Sequence, residues 1–474
     1  MTSPAGVPVG GDRDEELAFA GVARLLALLR AGEVTSRELV ELYLARITRL
    51  DEQLHAFTVV LADSARAAAD DADRQRAAGA TEPLLGLPIA VKDNLDVVGV
   101  PTRYGTGSPE LPAAFDAELV HRLRAAGCVL LGKTTMPELA LFPFGPARNP
   151  WDPTRTSGGS SSGSATAVAA GLAPAATASD GGGSIRIPAA YCGLVGLKPT
   201  PGLVPLGPDR EHWYGLSSFG FLTRSVTDTA QLIDAVRTDG SSLGPLDGPA
   251  APLRIGLTRH GGKAPKTVPL HPEAFTALDD TAGRLAGLGH AVGPLELSIG
   301  YLQSAFVPLY LRGARDDSVR LAQPRALGGP TRLVTRLGGM VSDRQVAAAR
   351  RRGDAHRTRL ARVFESVDVL LMPTVPAPAA PAASYERLGA LPTVLASTDQ
   401  VGYTTPWNVV GFPAVSLPAG LSRDGLPLAI QLVGPPGSEA RLLQVAAQLE
   451  ADEDWSALRP KGLGPKGLGQ SNPR

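Results

Sequence analysis

Three consecutive glycines run into a serine at Gly181–Ser184, inside the stretch S-D-G-G-G-S-I-R-I-P, with Asp180 and Arg186 on either side. A serine hydroxyl becomes a nucleophile once a base removes its proton. Glycine lets a substrate approach the main chain closely. The N–H groups of Gly181, Gly182, Gly183 and Ser184 are therefore candidate donors to a carbonyl oxygen that turns negative, each typically worth about 3–4 kcal/mol to a transition state. Asp180 and Arg186 would most simply pair with each other and brace the loop, because a guanidinium meets a carboxylate through two parallel hydrogen bonds. The same letters also describe a loose surface loop, so the partners elsewhere in the chain decide.

Two other segments supply partners. In G-L-P-I-A-V-K-D-N, Gly86–Asn94, Lys92 ends an apolar strand. Burial there favours the neutral amine and lowers its pKa, as a lysine base requires; a strand-end lysine reaching solvent is the plainer reading. In T-S-G-G-S-S-S-G-S, Thr156–Ser164, hydroxyls at Ser160 and Ser161 precede an Ala-rich helix, a pattern that also suits a flexible loop with an N-cap. No histidine lies near these segments in sequence, and a lysine can serve as a serine's base by the same proton-transfer logic.

The elements that must position these groups read as an α/β layered fold: a mixed, largely parallel central sheet with helices on both faces. Strands are expected at Leu87–Val91, Cys128–Leu131, Val195–Leu197, Arg254–Leu257, Val369–Met372, Ala414–Leu417 and Leu428–Val433. Helices are expected around Glu16–Leu29, Asp63–Ala78, Ala117–Ala126, Ser164–Leu172, Asp228–Val236, Pro272–Leu288, Arg344–Phe364 and Glu439–Glu450. One more starts at Thr35, where Glu38 completes a capping box and Val34 with Leu39 a hydrophobic staple. Residues 1–13 read as disordered, 14–455 as one domain, and 456–474, with its repeated P-K-G-L-G, as a flexible tail. Within the domain a catalytic core spans about 80–235. A substrate-shaping half follows at about 253–450, after a loop at 238–252.

Composition narrows the classes. Lys+Arg and Asp+Glu both number 46, so the zero net charge lacks the positive field a nucleic-acid partner needs. The two cysteines, Cys128 and Cys192, make no disulfide framework and read as reduced core thiols. No histidine spacing suggests a metal, and no segment reads as a membrane span or signal peptide. The expectation is a cytoplasmic protein with no cofactor. Two familiar patterns fail on mechanics. Gly127–Thr134 fits G-x-x-x-x-G-K-[ST] of nucleotide hydrolases, but its middle Cys-Val-Leu-Leu reads as a buried strand. Gly159–Gly163 fits G-x-S-x-G, but it follows a Pro/Gly-rich stretch where a hydrolase elbow needs a strand.

Taken together, the three segments resemble the amidase signature family, whose members share a Ser-cisSer-Lys triad. The likeness runs from G-L-P-I-A-V-K-D-N and V-L-L-G-K-T-T-M-P-E-L through G-G-S-S-S-G-S and S-D-G-G-G-S-I-R-I-P-A-A-Y-C-G. It continues downstream in L-L-M-P-T, Y-T-T-P-W-N-V-V-G-F-P and G-L-P-L-A-I-Q-L-V-G. The resemblance implies Lys92 as general base, Ser184 as acyl-enzyme nucleophile and Ser160, on a cis peptide, as proton relay. It implies hydrolysis of a small-molecule amide to acid plus ammonia or amine, and it allows a homodimer. Many members carry Thr where this chain has Gly181; Gly there occurs in members similar to cyclic-amide and aryl-amide hydrolases, pointing to a hydrophobic, non-peptide substrate. The segments Tyr301–Arg312 and Tyr403–Asn408 are expected to line the pocket, with Tyr310, Tyr403 and Trp407 as candidate walls. Alternatives within the family are one component of an amidotransferase, whose acidic residue would fall on Val401, and a urea-derivative hydrolase.

Overall fold

The computed structural model describes residues 11–207, 211–246, 251–259, 269–386, 388–453, 455 and 458–463. Its strands are β1 (Phe57–Val60), β2 (Pro88–Lys92), β3 (Val129–Thr134), β4 (Arg148–Asn149), β5 (Asp152–Thr156), β6 (Ala176–Asp180) and β7 (Val195–Lys198). They continue with β8 (Ser218–Thr223), β9 (Arg254–Leu257), β10 (Ala291–Pro294), β11 (Val369–Pro373), β12 (Ala414–Leu421) and β13 (Pro427–Val433). Among the described residues, eleven form one mixed sheet in the order β1-β3-β2-β6-β8-β7-β12-β13-β11-β9-β10, with helices packed around it. Parallel pairing is concentrated in two blocks, β3-β2-β6 and β11-β9-β10. An antiparallel run through β8, β7, β12 and β13 joins them.

Strands β2, β3, β7, β11 and β13 are buried along their whole length, which is why they read as continuous apolar runs. Strand alternation divides their side chains between two cores. On β11, β12 and β13, Val369, Leu371, Val415 and Leu432 join the larger core, while Leu370, Met372, Ala414 and Val433 face a second. That second core gathers Trp213, Trp407 and Phe412 with the helices Gln303–Arg320 and Asp343–Ala361.

The seven expected strands form, and the capping box at Thr35 is made in full. Gly127-to-Thr134 is indeed a core strand: all six residues of β3 are buried. Several expectations need correction. The helix expected over 16–29 is two, Asp12–Phe19 and Gly21–Ala31. They part where Gly21 takes φ 75° and Asp228 Oδ1 accepts the Ala23 N–H at 2.8 Å, a cap supplied from 205 residues away. Asp12 and Arg13 are helical, and residues 1–10 lie outside the described part. The Arg344–Phe364 helix ends at Ala361 and finishes in a 3₁₀ turn. The stretch before Gly159 contains a two-stranded hairpin, β4–β5. In the tail, Leu463 is buried and its carbonyl accepts from Arg49; the second P-K-G-L-G lies outside the described residues. No helix among the described residues is long and apolar enough to cross a membrane.

Candidate active site

Strands β2 and β6 lie side by side and end together, and these two ends carry the site. Lys92 closes β2 and is fully buried, so the plainer reading of a solvent-reaching lysine is not what folds. Its N–H donates to Thr177 Oγ1 on β6 at 2.8 Å, which fixes the stem. Its Nζ touches three hydroxyl oxygens: Ser160 at 2.8 Å, Ser161 at 2.9 Å and Ser179 at 2.8 Å. Burial with no carboxylate in direct contact lowers its pKa from 10.5 to about 7, the charge of Asp180 opposing that shift.

Three hydroxyls around one amine pose a donor-count question. A protonated amine donates to all three. A neutral amine has two N–H donors and one lone pair, so one hydroxyl must donate inward. Ser179 Oγ already accepts from Asn94 Nδ2 at 3.0 Å, and Ser161 Oγ reaches the Ser179 carbonyl at 3.4 Å. Accepting from Asn94 leaves the Ser179 proton unused, so Ser160 and Ser179 can each donate inward. Of the three, only Ser160 Oγ has no contact besides Lys92 among the described residues. The Gly159–Ser160 peptide bond is cis. Ser161 N–H donates to the Ser184 carbonyl at 3.3 Å, which sets this turn against the glycine loop.

The glycine loop leaves β6 at Asp180. Arg186 donates to both carboxylate oxygens, Nε at 3.0 Å and Nη2 at 3.1 Å, with both side chains fully buried. Gly183 N–H reaches Oδ1 at 2.6 Å and Ile185 N–H reaches Oδ2 at 3.2 Å. Burial would raise the Asp180 pKa, but Arg186 and Asn408 hold it down at about 2. The remaining guanidinium donors reach Gln431 Oε1 at 3.1 Å and Asn408 Oδ1 at 2.7 Å. Gly183 has φ 130°, and a Cβ there would lie 2.3 Å from Thr404 Oγ1, so only glycine fits. Thr404 Oγ1 donates to the Gly182 carbonyl at 2.7 Å, and Thr405 Oγ1 adds a longer bond at 3.3 Å.

All nine residues singled out in the sequence thus fall into one cluster, with one adjustment. The Gly183 N–H is committed to Asp180, whereas the amides of Gly181, Gly182 and Ser184 carry no hydrogen bond among the described residues. Ser184 and Gly182 are partly exposed and the rest of the cluster is buried. Thr404 and Asn408 come from the expected pocket stretch Tyr403–Asn408 but brace the loop, while Ser179, Asn94 and Gln431 are site members that were not anticipated. Ser179 was hidden because Ala176–Asp180 is too poor in β-branched residues to read as a strand. Asn408 and Gln431 stood in the downstream family-like segments without a visible partner. Of the candidate walls, Trp407 is fully buried core, stacked near Phe412, while Tyr310 stands beside Phe306. Val401 packs against the Ile187–Tyr191 cluster. Among the described residues no three His, Cys, Asp or Glu side chains converge as metal ligands.

The family model described as Amidase matches residues 38–443. The chain belongs to the amidase signature family. It is an amide-hydrolysing enzyme by that membership. "Putative amidase AmiB2" of Mycobacterium tuberculosis is 43% identical over 458 residues, covering 94% of this chain and 98% of that protein. The glutamyl-tRNA(Gln) amidotransferase component of Chromohalobacter salexigens is 36% identical, covering 93% of this chain and 98% of its own. Among solved structures, a 6-aminohexanoate cyclic dimer hydrolase complexed with substrate superposes with a TM-score of 0.85 at 30% identity, covering 94% of this chain and 99% of that one.

Proposed function

We propose that this amidase hydrolyses a small, apolar carboxylic amide through an acyl-enzyme on Ser184, with Ser160 and Lys92 carrying the proton. Neutral Lys92 accepts the Ser160 hydroxyl proton as Ser160 takes the proton of Ser184. The Ser184 oxygen bonds to the substrate carbonyl carbon, whose π electrons move to oxygen. The free amides of Gly181, Gly182 and Ser184 receive that oxyanion. The intermediate collapses with cleavage of the carbon–nitrogen bond, and the proton returns through Ser160 to the leaving nitrogen. Water then adds by the same relay, and the acid leaves with Ser184 restored.

The observation that carries this reading is the buried Lys92 amine, 2.8 Å from a Ser160 hydroxyl with no other partner among the described residues. The apolar preference is supported by Phe306 and Trp213 beside the loop, and by the likeness to the 6-aminohexanoate cyclic dimer hydrolase. Intact-mass spectrometry after fluorophosphonate treatment tests the assignment. Wild type is expected to gain one adduct, Ser184→Ala none, and Lys92→Ala the same adduct far more slowly. An unchanged adduct on Ser184→Ala would sink it.

A further inference from the structure

The loop that carries the free amides is itself clamped, by residues outside the three sequence segments that form the site. Neither Gly181 nor Gly182 lies in the left-handed region, so backbone conformation does not demand glycine at either position. Space demands it at Gly181. A Cβ there would meet Cε3 and Cζ3 of the Trp213 indole at 2.7 and 2.8 Å, well inside the ordinary carbon–carbon contact of about 3.5–4.0 Å.

A second glycine makes room for the same ring: a Cβ at Gly313 would meet Cδ1 and Cγ at 2.5 and 2.7 Å. The indole thus packs directly on two glycines, one in the nucleophile loop and one in the helix Gln303–Arg320. Its Nε1 donates to Asp317 Oδ2 at 2.7 Å, and His212 Nε2 lies 3.1 Å from the same oxygen. Trp213 and Tyr214 take φ of 48° and 57°, a region bulky side chains seldom adopt, which persists where surrounding contacts over-determine it. Tyr310 meets the indole edge-on at 5.4 Å between centroids, and Phe306 stacks on Tyr310 at 5.4 Å. Phe306 Cζ comes within 3.3 Å of where a Cβ on Gly182 would sit. Phe306, Tyr310, Gly313 and Asp317 recur at i, i+4, i+7 and i+11, the spacing of one helix face.

We propose that Trp213 is a positioning residue for acylation: packed on both Gly181 and Gly313 and anchored on Asp317, it sets the orientation of the Gly181–Gly182 peptide that faces the oxyanion. The clamp rests on the assignment of Ser184 as nucleophile. It predicts a steric coupling that mere core packing does not: a side chain at position 181 is harmful only while the indole fills its space.

The test is a double-mutant cycle on the full chain, with a fluorophosphonate as probe and kinact and KI taken from intact-mass time courses. Gly181→Ala is expected to lower kinact on the order of 10–100-fold, the scale of weakening an oxyanion donor, while KI changes little. Combining it with Trp213→Leu is expected to raise kinact at least about tenfold above Gly181→Ala alone, because the vacated slot accepts the methyl group. Trp213→Phe, which keeps an aromatic plate in the slot, is expected to lose less than Trp213→Leu. If Gly181→Ala proves unfolded by thermal denaturation, recovery in the double variant and the order of the two Trp213 variants decide. Wild-type kinact in Gly181→Ala, or losses that simply multiply in the double variant, would overturn the clamp. Wild-type labelling of Ser184→Ala in the same series would instead overturn the nucleophile assignment, and the clamp's catalytic role with it.

Discussion

Lys92 is the group whose titration the proposed reaction depends on, and its pKa of about 7 makes the dependence measurable. A lysine at its ordinary 10.5 would be neutral in about one molecule in 3,000 at pH 7, by the definition of the pKa. In this site about half the molecules hold the amine neutral, a gain on the order of 1,000-fold in the competent form. Below the inflection, the second-order rate of fluorophosphonate labelling is expected to fall about tenfold per pH unit; about a unit above it, the rate levels off. The same shift has a cost in stability with a definite sign. The unfolded chain protonates this lysine below 10.5 while the native state keeps it neutral down to about 7. The penalty therefore grows as pH falls between those values and is constant below, at about 5 kcal/mol. Lys92→Met is accordingly expected to label far more slowly than wild type yet raise the unfolding temperature at neutral pH. Lys198 needs a control, since it too is fully buried and lowered to about 7 by burial, with its Nζ donating to the Pro199 carbonyl at 2.9 Å. If the inflection near 7 belongs to Lys92, Lys198→Met keeps it. A rate that stays flat down to pH 5, or climbs steadily to pH 10, would refute the neutral-lysine argument.

Arg186→Met leaves Asp180 buried without its cation and is expected to destabilise the fold by about 3–5 kcal/mol, read by denaturant unfolding. Arg186→Lys should recover only part of that, because an ammonium cannot match the guanidinium's contacts to Asp180, Gln431 and Asn408 at once; full recovery would mean that charge alone matters there. Glu450 is raised to about 7 by burial, with Asp228 adding to the shift while the Val226 N–H that it accepts opposes it. Its ionised form is disfavoured by the fold, so its contribution is best in acid and declines as pH rises from 4.5 through about 7. Glu450→Gln is expected to melt above wild type at pH 8 by up to about 3 kcal/mol of stability and to match it at about pH 4. An equal difference at both pH values would contradict the cause assigned.

The sequence showed most plainly what one segment can encode by itself. Long amphipathic helices, apolar buried strands and the Thr35 capping box were legible because each is a local pattern. The site's nine residues stood out by type and spacing, but segment by segment the plainer readings held, and it was the family resemblance that joined them into one constellation. What escaped depends on distant partners. The break between the helices Asp12–Phe19 and Gly21–Ala31 is set by Asp228, and the loop's support by Asn408 and Gln431, more than 200 residues from the groups they bind. Strand β6 escaped for the opposite reason. Its alanines and serine are small because helices and the neighbouring strand crowd it, so a position made for close packing lacks the bulky residues that announce a strand.

The Asp180–Arg186 pair is better understood as an organiser of donors than as a source of stability. A buried ion pair recovers through contact roughly what it loses in desolvation, so its net contribution is small even though breaking it is costly. What Asp180 does uniquely is choose among neighbouring amides. Its two oxygens take the N–H groups of Gly183 and Ile185, alternate positions along the turn, and hold them at 2.6 and 3.2 Å. Ser184, between them, keeps its N–H unbonded, and Gly182 on the outer side does the same among the described residues. A turn without that carboxylate could satisfy its amides in several ways, most of which would spend the Ser184 N–H internally. Arg186 is the cation that keeps the carboxylate ionised, and therefore an acceptor only, down to about pH 2. The two charges are buried together. One consequence is that amides without a partner among the described residues remain at Gly182 and Ser184, the two partly exposed positions of the loop. There they are available to the oxygen that becomes negative in the proposed reaction.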